Sequence, residues 1–542
     1  MIIDDLYREN DKNNFYLGII TQVYKNSCVC QIENLSWLKN RRINNEYLIP
    51  NTINFNVVID STEGIFIGEV YQSKISNADN IHYALKSFEH ERVFPEISID
   101  ILGILNNGEF KFQPSGFYNV GLTDSVYLAN SEANEKYLES IELDRYNNEY
   151  CNNRSKLSQF AKVVNMSNHE LKLYPETLFD RHLLAIGATN SGKSTSSLSV
   201  IDKLVKCNKK VLIIDPTGEY SDSFTDDEVK KLVLGDNTFL DTGKVSFSQW
   251  ATLFETNDST QPAVLADAIR SLRFQKKRKN DEVYVKNGKT ISKVKEDMSS
   301  LKENETSFDL NLLPLQIYEE AVEVDKSMTK YQYGAFHYNI KQWLVQKIEY
   351  KLESAGIKEF FSNPDNNQNL LDLVYDFMDD KIKSLYVNTS KIGIGDGIGA
   401  MIVDLISNYI INNKKKDSVA FVIFIDEVHR YSKDIRSGGY QTGLTAIARE
   451  GRKKGIFLFL TTQNPKDIPE DLLGQIGSLL VHRITHKSEL DAIRNYMSES
   501  AFRQISKLNQ GECILTSINL LEDLHLKINE CDRTHYNETI QI

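Results

Sequence analysis

The sequence predicts an α/β fold in which a parallel sheet carries a helical insertion and follows a small N-terminal β-barrel. From about residue 170, continuous apolar segments of strand length alternate with helical segments, a pattern typical of a parallel sheet covered on both faces. From about residue 14 to 110, short runs rich in β-branched residues are separated by Gly, Asn and Pro. A small barrel is the simplest way to close several such strands.

The chain has 542 residues, more than one ordinary domain needs, and the pattern divides it into segments. Apolar residues at helical spacing predict helices over 193–206, 262–273 and 341–352. Buried strands are predicted at 181–187, 211–215, 419–426, 455–463 and 479–483. We expect a barrel over 1–110, a linker over 111–169, the sheet over 170–250 and 385–515, a helical insertion over 251–384 and a polar, extended segment over 516–542.

Composition limits the classes of function. Hydrophobic residues make up 41% and charged residues 25%, which is typical of a globular protein. The net charge of −12 repels nucleic acid, so DNA binding requires a shielded basic patch such as a pore. The six cysteines form no CxxC pair, and we expect reduced thiols without a zinc site. With no signal peptide and no apolar run of membrane length, we expect a soluble, cytoplasmic protein.

Residues 187–194 match the phosphate-binding pattern G-x-x-x-x-G-K-[ST] after a buried strand and at the start of a helix, where its mechanism requires it. The glycines let backbone N–H groups approach the phosphates, Lys193 brings a positive charge, and the Ser194 hydroxyl can coordinate Mg²⁺. The pattern predicts a RecA-like P-loop sheet that binds ATP and Mg²⁺. The residues expected at the nucleotide are Gly187, Ala188, Thr189, Asn190, Ser191, Gly192, Lys193, Ser194 and Thr195.

Two acids, Asp426 and Glu427, follow the most apolar strand of the chain. Asp426 is suited to hold the hydration shell of Mg²⁺, and Glu427 to polarise the attacking water. A carboxylate at such a point can also cap the next helix. Two adjacent acids downstream of a phosphate loop favour the catalytic interpretation.

Two other strand ends leave alternatives open. Asp215, with Glu219 nearby, either reaches the nucleotide or its Mg²⁺, or lies in a solvated turn made by Pro216 and Gly218. Gln463 either hydrogen-bonds the γ-phosphate or the attacking water, or ends its strand for structural reasons, and we favour the first.

Basic residues mark two segments. Arg449 and Arg452 lie in the stretch 448–454, where an arginine can neutralise charge in a neighbouring subunit's site or can merely complement a helix end. Lys433 and Arg436 lie in a Gly-rich loop that either faces a channel and contacts DNA phosphates or is simply solvated. Taken alone, these residues favour the solvated alternative in both segments.

Taken in order, five segments resemble the HerA branch of the HerA/FtsK superfamily of DNA translocases. They are residues 187–195, 215–220, 424–429, 448–454 and 461–465, and the resemblance covers about 170–500. The N-terminal β region is similar to the HerA barrel only in general pattern. The chain departs from the family at Thr217, where His is frequent, and at Asn190, where Gly is frequent.

The resemblance implies roles for particular residues. It supports Asp215 and Gln463 as members of the site. It implies that Arg452 reaches into the neighbouring subunit's site, with Arg449 as the less favoured choice, and that Arg181 is a second basic position at the nucleotide. It also implies that residues 516–542 form a strap that crosses onto a neighbouring subunit.

The resemblance further implies a homohexameric ring around double-stranded DNA that works with a partner effector. The chain carries no nuclease motif, so the effector is expected to be a separate nuclease or a sirtuin-like, NAD-consuming protein, and we favour anti-phage defence as the context. One alternative is a DNA-repair motor paired with a NurA-like nuclease. Another is an assembly scaffold that ATP regulates. A conjugative coupling ATPase is disfavoured because such proteins usually carry membrane segments.

Overall fold

The structure is a computed structural model of the 542-residue chain. It describes residues 3–8, 11–38, 42–43, 46–47, 53–75, 86, 93–143, 155–166, 169–256, 260–354, 357–362, 367–391, 398–432 and 442–536. Among these residues, no helix combines the length and the apolar character that crossing a membrane requires. The five cysteines in the described ranges have free thiols, as expected, and Cys151 lies outside those ranges.

The main strands alternate with helices from residue 182 onward. In chain order the strands are Tyr16–Val23 (β1), Ser27–Ile32 (β2), Asn56–Ser61 (β3), Gly64–Lys74 (β4), Glu96–Asn106 (β5), Ser125–Leu128 (β6), Leu157–Val163 (β7), His169–Leu173 (β8), His182–Ile186 (β9), Lys210–Asp215 (β10), Lys230–Val233 (β11), Leu385–Asn388 (β12), Phe421–Ile425 (β13), Ile456–Thr462 (β14), Ile476–Val481 (β15), Glu512–Ser517 (β16) and Leu524–Ile528 (β17).

The helices concentrate between residues 247 and 413. In chain order they are Ser131–Ser140 (α1), Pro175–Leu178 (α2), Lys193–Lys206 (α3), Phe247–Leu253 (α4), Gln261–Lys277 (α5), Ile291–Ser299 (α6), Leu313–Glu319 (α7), Ala335–Ser354 (α8), Ile357–Phe361 (α9), Leu370–Met378 (α10), Ile398–Asn413 (α11), His429–Ser432 (α12), Gly443–Glu450 (α13), Glu470–Leu473 (α14), Lys487–Ile493 (α15) and Glu499–Gln504 (α16). The helices expected at 262–273 and 341–352 fall within α5 and α8.

The N-terminal strands form a closed antiparallel barrel in the order β1-β2-β5-β4-β3-β6. The barrel closes because β6 pairs with β1 on one side and with β3 on the other. A sheet without edges needs such a last strand. Because β6 lies in the segment we expected to be a linker, the barrel extends to about residue 128, beyond the expected limit at residue 110.

The chain divides into two compact units. The first comprises Met1–Cys207 and Gly477–Cys531, and the second comprises Asn208–Ile476 and Asp532–Ile542. Besides the barrel, the first unit contains strands in the order β8-β7-β17-β16-β15-β9. The pairs from β8 to β15 are antiparallel. Strands β7 and β17 therefore occupy parts of the expected linker and of the expected C-terminal segment.

The second unit contains parallel strands in the order β14-β13-β10-β12-β11. Every residue of β10 and β13 is buried, as expected for parallel strands of a sheet that is covered on both faces. The predicted parallel arrangement is therefore present in this unit. Since parallel strands point the same way, their carboxyl ends, including Asp215 and Thr462, lie at one edge of the sheet.

The C-terminal residues of the second unit contact the segment that follows β10. Both guanidinium nitrogens Nη1 and Nη2 of Arg533 donate to the carboxylate of Glu228, at 2.9 and 2.8 Å. The amide of Tyr536 donates to the carbonyl of Glu219 at 3.0 Å. These contacts hold residues 533–536 against their own unit. The crossing of the strap to a neighbouring subunit remains a prediction, and residues 537–542 lie outside the described part of the chain.

Candidate functional site: a phosphate loop and an acid pair

The phosphate loop lies in the first unit, between the buried strand β9 and helix α3. Helix α3 begins at Lys193, which is 5% exposed, and Gly192 occupies its N-cap position. The backbone N–H groups of the first helical turn have no partner within the helix, and the helix dipole makes this end positive. This end of α3 is therefore suited to bind a phosphate anion.

The loop backbone adopts conformations that favour small residues. Gly192 has a φ of 97° and Asn190 a φ of 63°. A methyl group on Gly187 would lie 2.5 Å from Ser191 Oγ and 2.7 Å from His482 Cβ. Ser191 Oγ is buried and has no hydrogen-bond partner within the described residues. A buried hydroxyl in a tight loop with several backbone N–H groups is suited to bind a polar ligand.

A second loop of the same unit supports the phosphate loop. The amide of Gly511 donates to the carbonyl of Ser191 at 3.1 Å. The side-chain amide of Gln510 donates to Oδ1 of Asn190 at 2.9 Å. Asparagine tolerates a positive φ better than most residues, and this hydrogen bond holds its side chain. The contact explains how Asn190 replaces the glycine that is frequent in the family.

His482, just after β15, is a neighbour of the phosphate loop that the sequence analysis did not identify. Its Nδ1 lies 3.0 Å from the carbonyl oxygen of Glu512, so Nδ1 carries the proton. Burial, followed by the positive charge of Lys193, lowers the pKa of His482 to about 4. The imidazole is therefore neutral at pH 7. The feature that could have identified His482 is its position as a polar residue at the end of a strand that is adjacent to β9.

The acid pair lies in the second unit, at the end of β13. Asp426 is 2% exposed and Glu427 is 7% exposed. The hydroxyl of Thr461 donates to Oδ1 of Asp426 at 2.5 Å and accepts from the amide of Glu427 at 2.8 Å. Thr461 on β14 therefore connects the two acids and fixes the turn that presents them.

The Glu427 carboxylate is oriented by neighbouring side chains. The amide nitrogen of Gln463 donates to Oε1 of Glu427 at 2.9 Å. Nδ1 of His429 lies 3.1 Å from Oε2. The backbone of Glu427 has a φ of 48°, which is strained for a residue with a side chain. Such strained positions are common at functional sites, and this arrangement places Gln463 beside the predicted catalytic acid.

Asp215 is buried and holds the turn that follows β10. Its Oδ1 accepts from the amide and the hydroxyl of Thr217 and from the amide of Gly218, at 2.8–2.9 Å. Its Oδ2 accepts from the amide of Tyr220 at 3.0 Å and from the hydroxyl of Tyr386 at 2.9 Å. The sequence analysis considered a contact with the nucleotide or its Mg²⁺ and a solvated turn, and neither alternative described a buried carboxylate that forms the turn. A role at the nucleotide remains a prediction.

The predicted basic residues have different surroundings. Arg449 forms an ion pair with Asp471 at 2.9 Å. Arg452 is exposed in the 3₁₀ helix Gly451–Lys454. Arg181 is exposed, and its side chain lies over Gly477. Lys433 and Arg436 lie outside the described residues. The exposed position of Arg452 leaves it accessible to another molecule.

Each of the two units contains an oxygen-bearing side chain that is suited to coordinate Mg²⁺. Ser194 offers a hydroxyl and Asp426 a carboxylate, and both are oxygen ligands of the kind that Mg²⁺ prefers. Within the described residues, no group of three His, Cys, Asp or Glu side chains is placed to hold a metal ion. Mg²⁺ at phosphate sites usually takes only one or two protein ligands, with phosphate oxygens and water completing its shell.

Comparison with known proteins shows which proteins the chain is similar to. Residues 159–424 match the family model described as "Helicase HerA, central domain". A probable helicase of Methanocaldococcus jannaschii is 22% identical over 71% of this chain and 69% of its own length. The DNA double-strand break repair helicase HerA of Sulfolobus acidocaldarius is 27% identical over 64% of this chain and 64% of its own length. The chain thus spans slightly less than two thirds of the Sulfolobus protein.

Among solved structures, a bacterial conjugative coupling protein, TrwB, matches this chain with a TM-score of 0.46 and 13% sequence identity. The match covers 70% of this chain and 91% of TrwB. The matched family region contains the phosphate loop, and the sequence similarity to the HerA relatives extends over most of the chain. The chain is therefore a HerA-type ATPase whose central region is similar to that of the HerA helicases.

Proposed function

We propose that this protein hydrolyses ATP to move along double-stranded DNA, and that it acts as a homohexameric ring. The observation that carries the proposal is the contact of Glu427 with Gln463 beside Asp426 at the end of β13. It provides an oriented carboxylate next to a metal-binding acid, in a chain that also carries a phosphate loop. The names of the HerA relatives support DNA as the substrate.

We assign the chemistry to this chain's own residues. Lys193 and the amides of the phosphate loop neutralise the β- and γ-phosphates, and Ser194 and Asp426 are the residues that would hold Mg²⁺. Glu427 polarises the attacking water, and Gln463 responds to the γ-phosphate. Mg²⁺ withdraws charge from the phosphates when it is bound. Arg452 reaches the nucleotide of a neighbouring subunit and stabilises the charge that develops there.

We place DNA in the centre of the ring, with Lys433 and Arg436 as phosphate contacts. A net charge of −12 opposes binding on the outer surface, whereas a basic channel concentrates the attraction where the duplex passes. Binding through phosphates carries little sequence preference and weakens steeply with salt. We therefore expect DNA of any sequence to stimulate the ATPase at low salt.

We propose that the motor feeds or activates a separate effector in anti-phage defence, either a nuclease or an NAD-consuming enzyme. The second candidate is a DNA-repair motor that works with a nuclease, and the "double-strand break repair" names of several relatives favour it. The third is an ATP-regulated scaffold. Native mass spectrometry of the protein, alone and co-expressed with the products of adjacent genes, would identify the subunit number and the effector.

An ATPase assay with and without duplex DNA tests the motor. We expect DNA to raise ATP turnover several-fold in the wild type. Glu427→Gln should lower turnover by about 100-fold or more while ATP binding persists, whereas Lys193→Ala should lose binding. If DNA leaves turnover unchanged in a protein that still needs Glu427, the scaffold candidate replaces the motor. If Glu427→Gln hydrolyses ATP normally, the catalytic assignment is wrong.

A further inference from the structure

We propose that His429 is a positioning residue for ATP hydrolysis, which holds the Glu427 carboxylate in the direction needed to polarise the attacking water. The proposal rests on the proposed role of Glu427. In the structure Nδ1 of His429 lies 3.1 Å from Oε2 of Glu427, and both residues belong to the same unit.

Hydrogen-bond accounting bears on which ring nitrogen of His429 carries the proton. The hydroxyl of Thr462 donates its single proton to the carbonyl of Asn464 at 3.1 Å. Towards His429 Nδ1, 3.5 Å away, this hydroxyl can therefore only accept. A carboxylate oxygen likewise only accepts. Of these two acceptors, Oε2 of Glu427 is the nearer to Nδ1, and the tautomer of His429 with a proton on Nδ1 is compatible with both contacts.

The two oxygens of Glu427 thus lie close to side-chain nitrogen atoms on different elements. Gln463, after β14, donates to Oε1 at 2.9 Å, and His429, at the start of α12, faces Oε2. The terminal torsion of a glutamate is broad and easily rotated. Contacts to both carboxylate oxygens restrict that rotation, whereas a contact to one oxygen alone lets the other oxygen rotate about it. His429 is therefore needed in addition to Gln463 to define the plane of the carboxylate.

The backbone provides the frame for this arrangement. The amide of Glu427 donates to Thr461 Oγ1 at 2.8 Å, and the amide of Arg430 donates to the carbonyl of Glu427 at 2.9 Å. The amide of Val428 donates to the carbonyl of Thr461 at 2.9 Å. Because these bonds do not involve the imidazole, the turn should survive its removal. Loss of His429 should therefore affect the carboxylate and leave the fold intact.

The effect on catalysis follows from geometry. A group that acts on water must lie within hydrogen-bond reach and point along the reaction coordinate. Supporting residues that orient a reacting group typically contribute about 10- to 100-fold. We expect His429→Ala to lower kcat by about tenfold, with KM and the affinity for ATP unchanged, because the imidazole contacts a residue proposed to act on water and not on the phosphates.

The test uses the full-length protein and two substitutions at one position. His429→Asn keeps a side-chain nitrogen bonded to Cγ, as Nδ1 is, and should recover most of the lost kcat. His486→Ala is the control, since His486 is exposed and its Nδ1 contacts the Ser488 hydroxyl, and the turnover of this variant should match that of the wild type. Binding of a fluorescent ATP analogue and thermal unfolding report on the site and the fold independently of turnover.

A double-mutant cycle separates the possible outcomes. If His429 acts through Glu427, adding His429→Ala to Glu427→Gln should cost almost nothing further. Wild-type kcat in His429→Ala, together with an inactive Glu427→Gln, would overturn the positioning role and leave the ATPase proposal standing. Equal loss of ATP affinity and kcat in both His429 variants would indicate a merely structural residue. Normal turnover in Glu427→Gln would instead overturn the proposed function itself.

Discussion

A methyl group on Gly192 would lie 2.7 Å from the backbone nitrogen of Gly511, so no residue with a Cβ fits at position 192 unless Gly511 moves. Gly192 also has a φ of 97°, which disfavours every residue that has a Cβ. The phosphate loop therefore owes its shape both to its own backbone and to a chain segment more than 300 positions away.

Gly192→Ala tests this contact. We expect the affinity for ATP to fall by at least about tenfold, because the loop must move away from Gly511 and lose its N–H cradle. Gly288→Ala is the matched control, since Gly288 has a φ of 81° but open space around its Cβ position. The control should cost about 1 kcal/mol of stability with ATP binding unchanged. Equal ATP affinities in Gly192→Ala and the control would contradict the contact.

Asp215→Asn should act mainly on folding. Five donors converge on this buried carboxylate, and an amide would turn its nitrogen towards some of them. We expect a loss of about 3 kcal/mol in the free energy of unfolding, measured with urea. Tyr386→Phe removes only one of the donors and should cost about 1 kcal/mol. A stable Asp215→Asn protein without Mg²⁺-dependent hydrolysis would show instead that Asp215 serves the metal.

His482 should make stability depend on pH. Its imidazole binds a proton near pH 6.5 in the unfolded chain but only near pH 4 in the folded protein. Between these values the unfolded state binds more protons, so the free energy of unfolding falls as the pH drops, by about 3 kcal/mol at most.

In His482→Gln the side chain at position 482 does not titrate. This variant should therefore lose the part of the pH dependence of the free energy of unfolding that His482 contributes. The measurement is the difference between wild type and variant at each pH from 7 to 4, which cancels the contribution of other groups. Parallel curves for the two proteins over this range would rule out the buried, neutral state of His482.

Arg452→Ala should reduce turnover by about 1000-fold if its guanidinium acts on a neighbouring subunit's nucleotide. Arg449→Ala should have a smaller effect, because Arg449 already pairs with Asp471. Mixing Arg452→Ala subunits with Lys193→Ala subunits should restore part of the activity, since some interfaces then combine an intact loop with an intact arginine. No recovery on mixing, under conditions in which the subunits exchange, would place the arginine in the same chain as its site.

The sequence predicted three strands of the second unit, β10, β13 and β14, because each is a continuous apolar run, whereas the short strands β11 and β12 were not predicted. Phe421–Ile425 and Ile456–Thr462 match the predicted segments within two residues at each end. The strand and the helix on either side of residues 187–192 were also predicted, since their pattern is local. The barrel boundary was placed too early because closure by Ser125–Leu128 is a pairing between distant strands, which no local pattern specifies.

Other parts of the site depend on contacts between distant segments. Leu524–Ile528 alternates buried and exposed residues and could have been recognised as a strand from that period alone. The contacts of Gln510 with Asn190 and of His482 with Glu512 join residues with no common motif, so neither pairing could be predicted from the sequence. The surroundings of Asp215 were also unpredictable, because Tyr386 approaches it from another strand.

The support of the phosphate loop by Gln510 and Gly511 bears on how shortened versions of the protein would behave. The family model ends at residue 424, before these residues and before the strands β15 to β17 that share their unit. A fragment cut at that boundary would retain the nucleotide-binding motif but lack the segments that shape it. The smallest fragment able to bind ATP should therefore reach at least to Ile528, where the last strand of that unit ends.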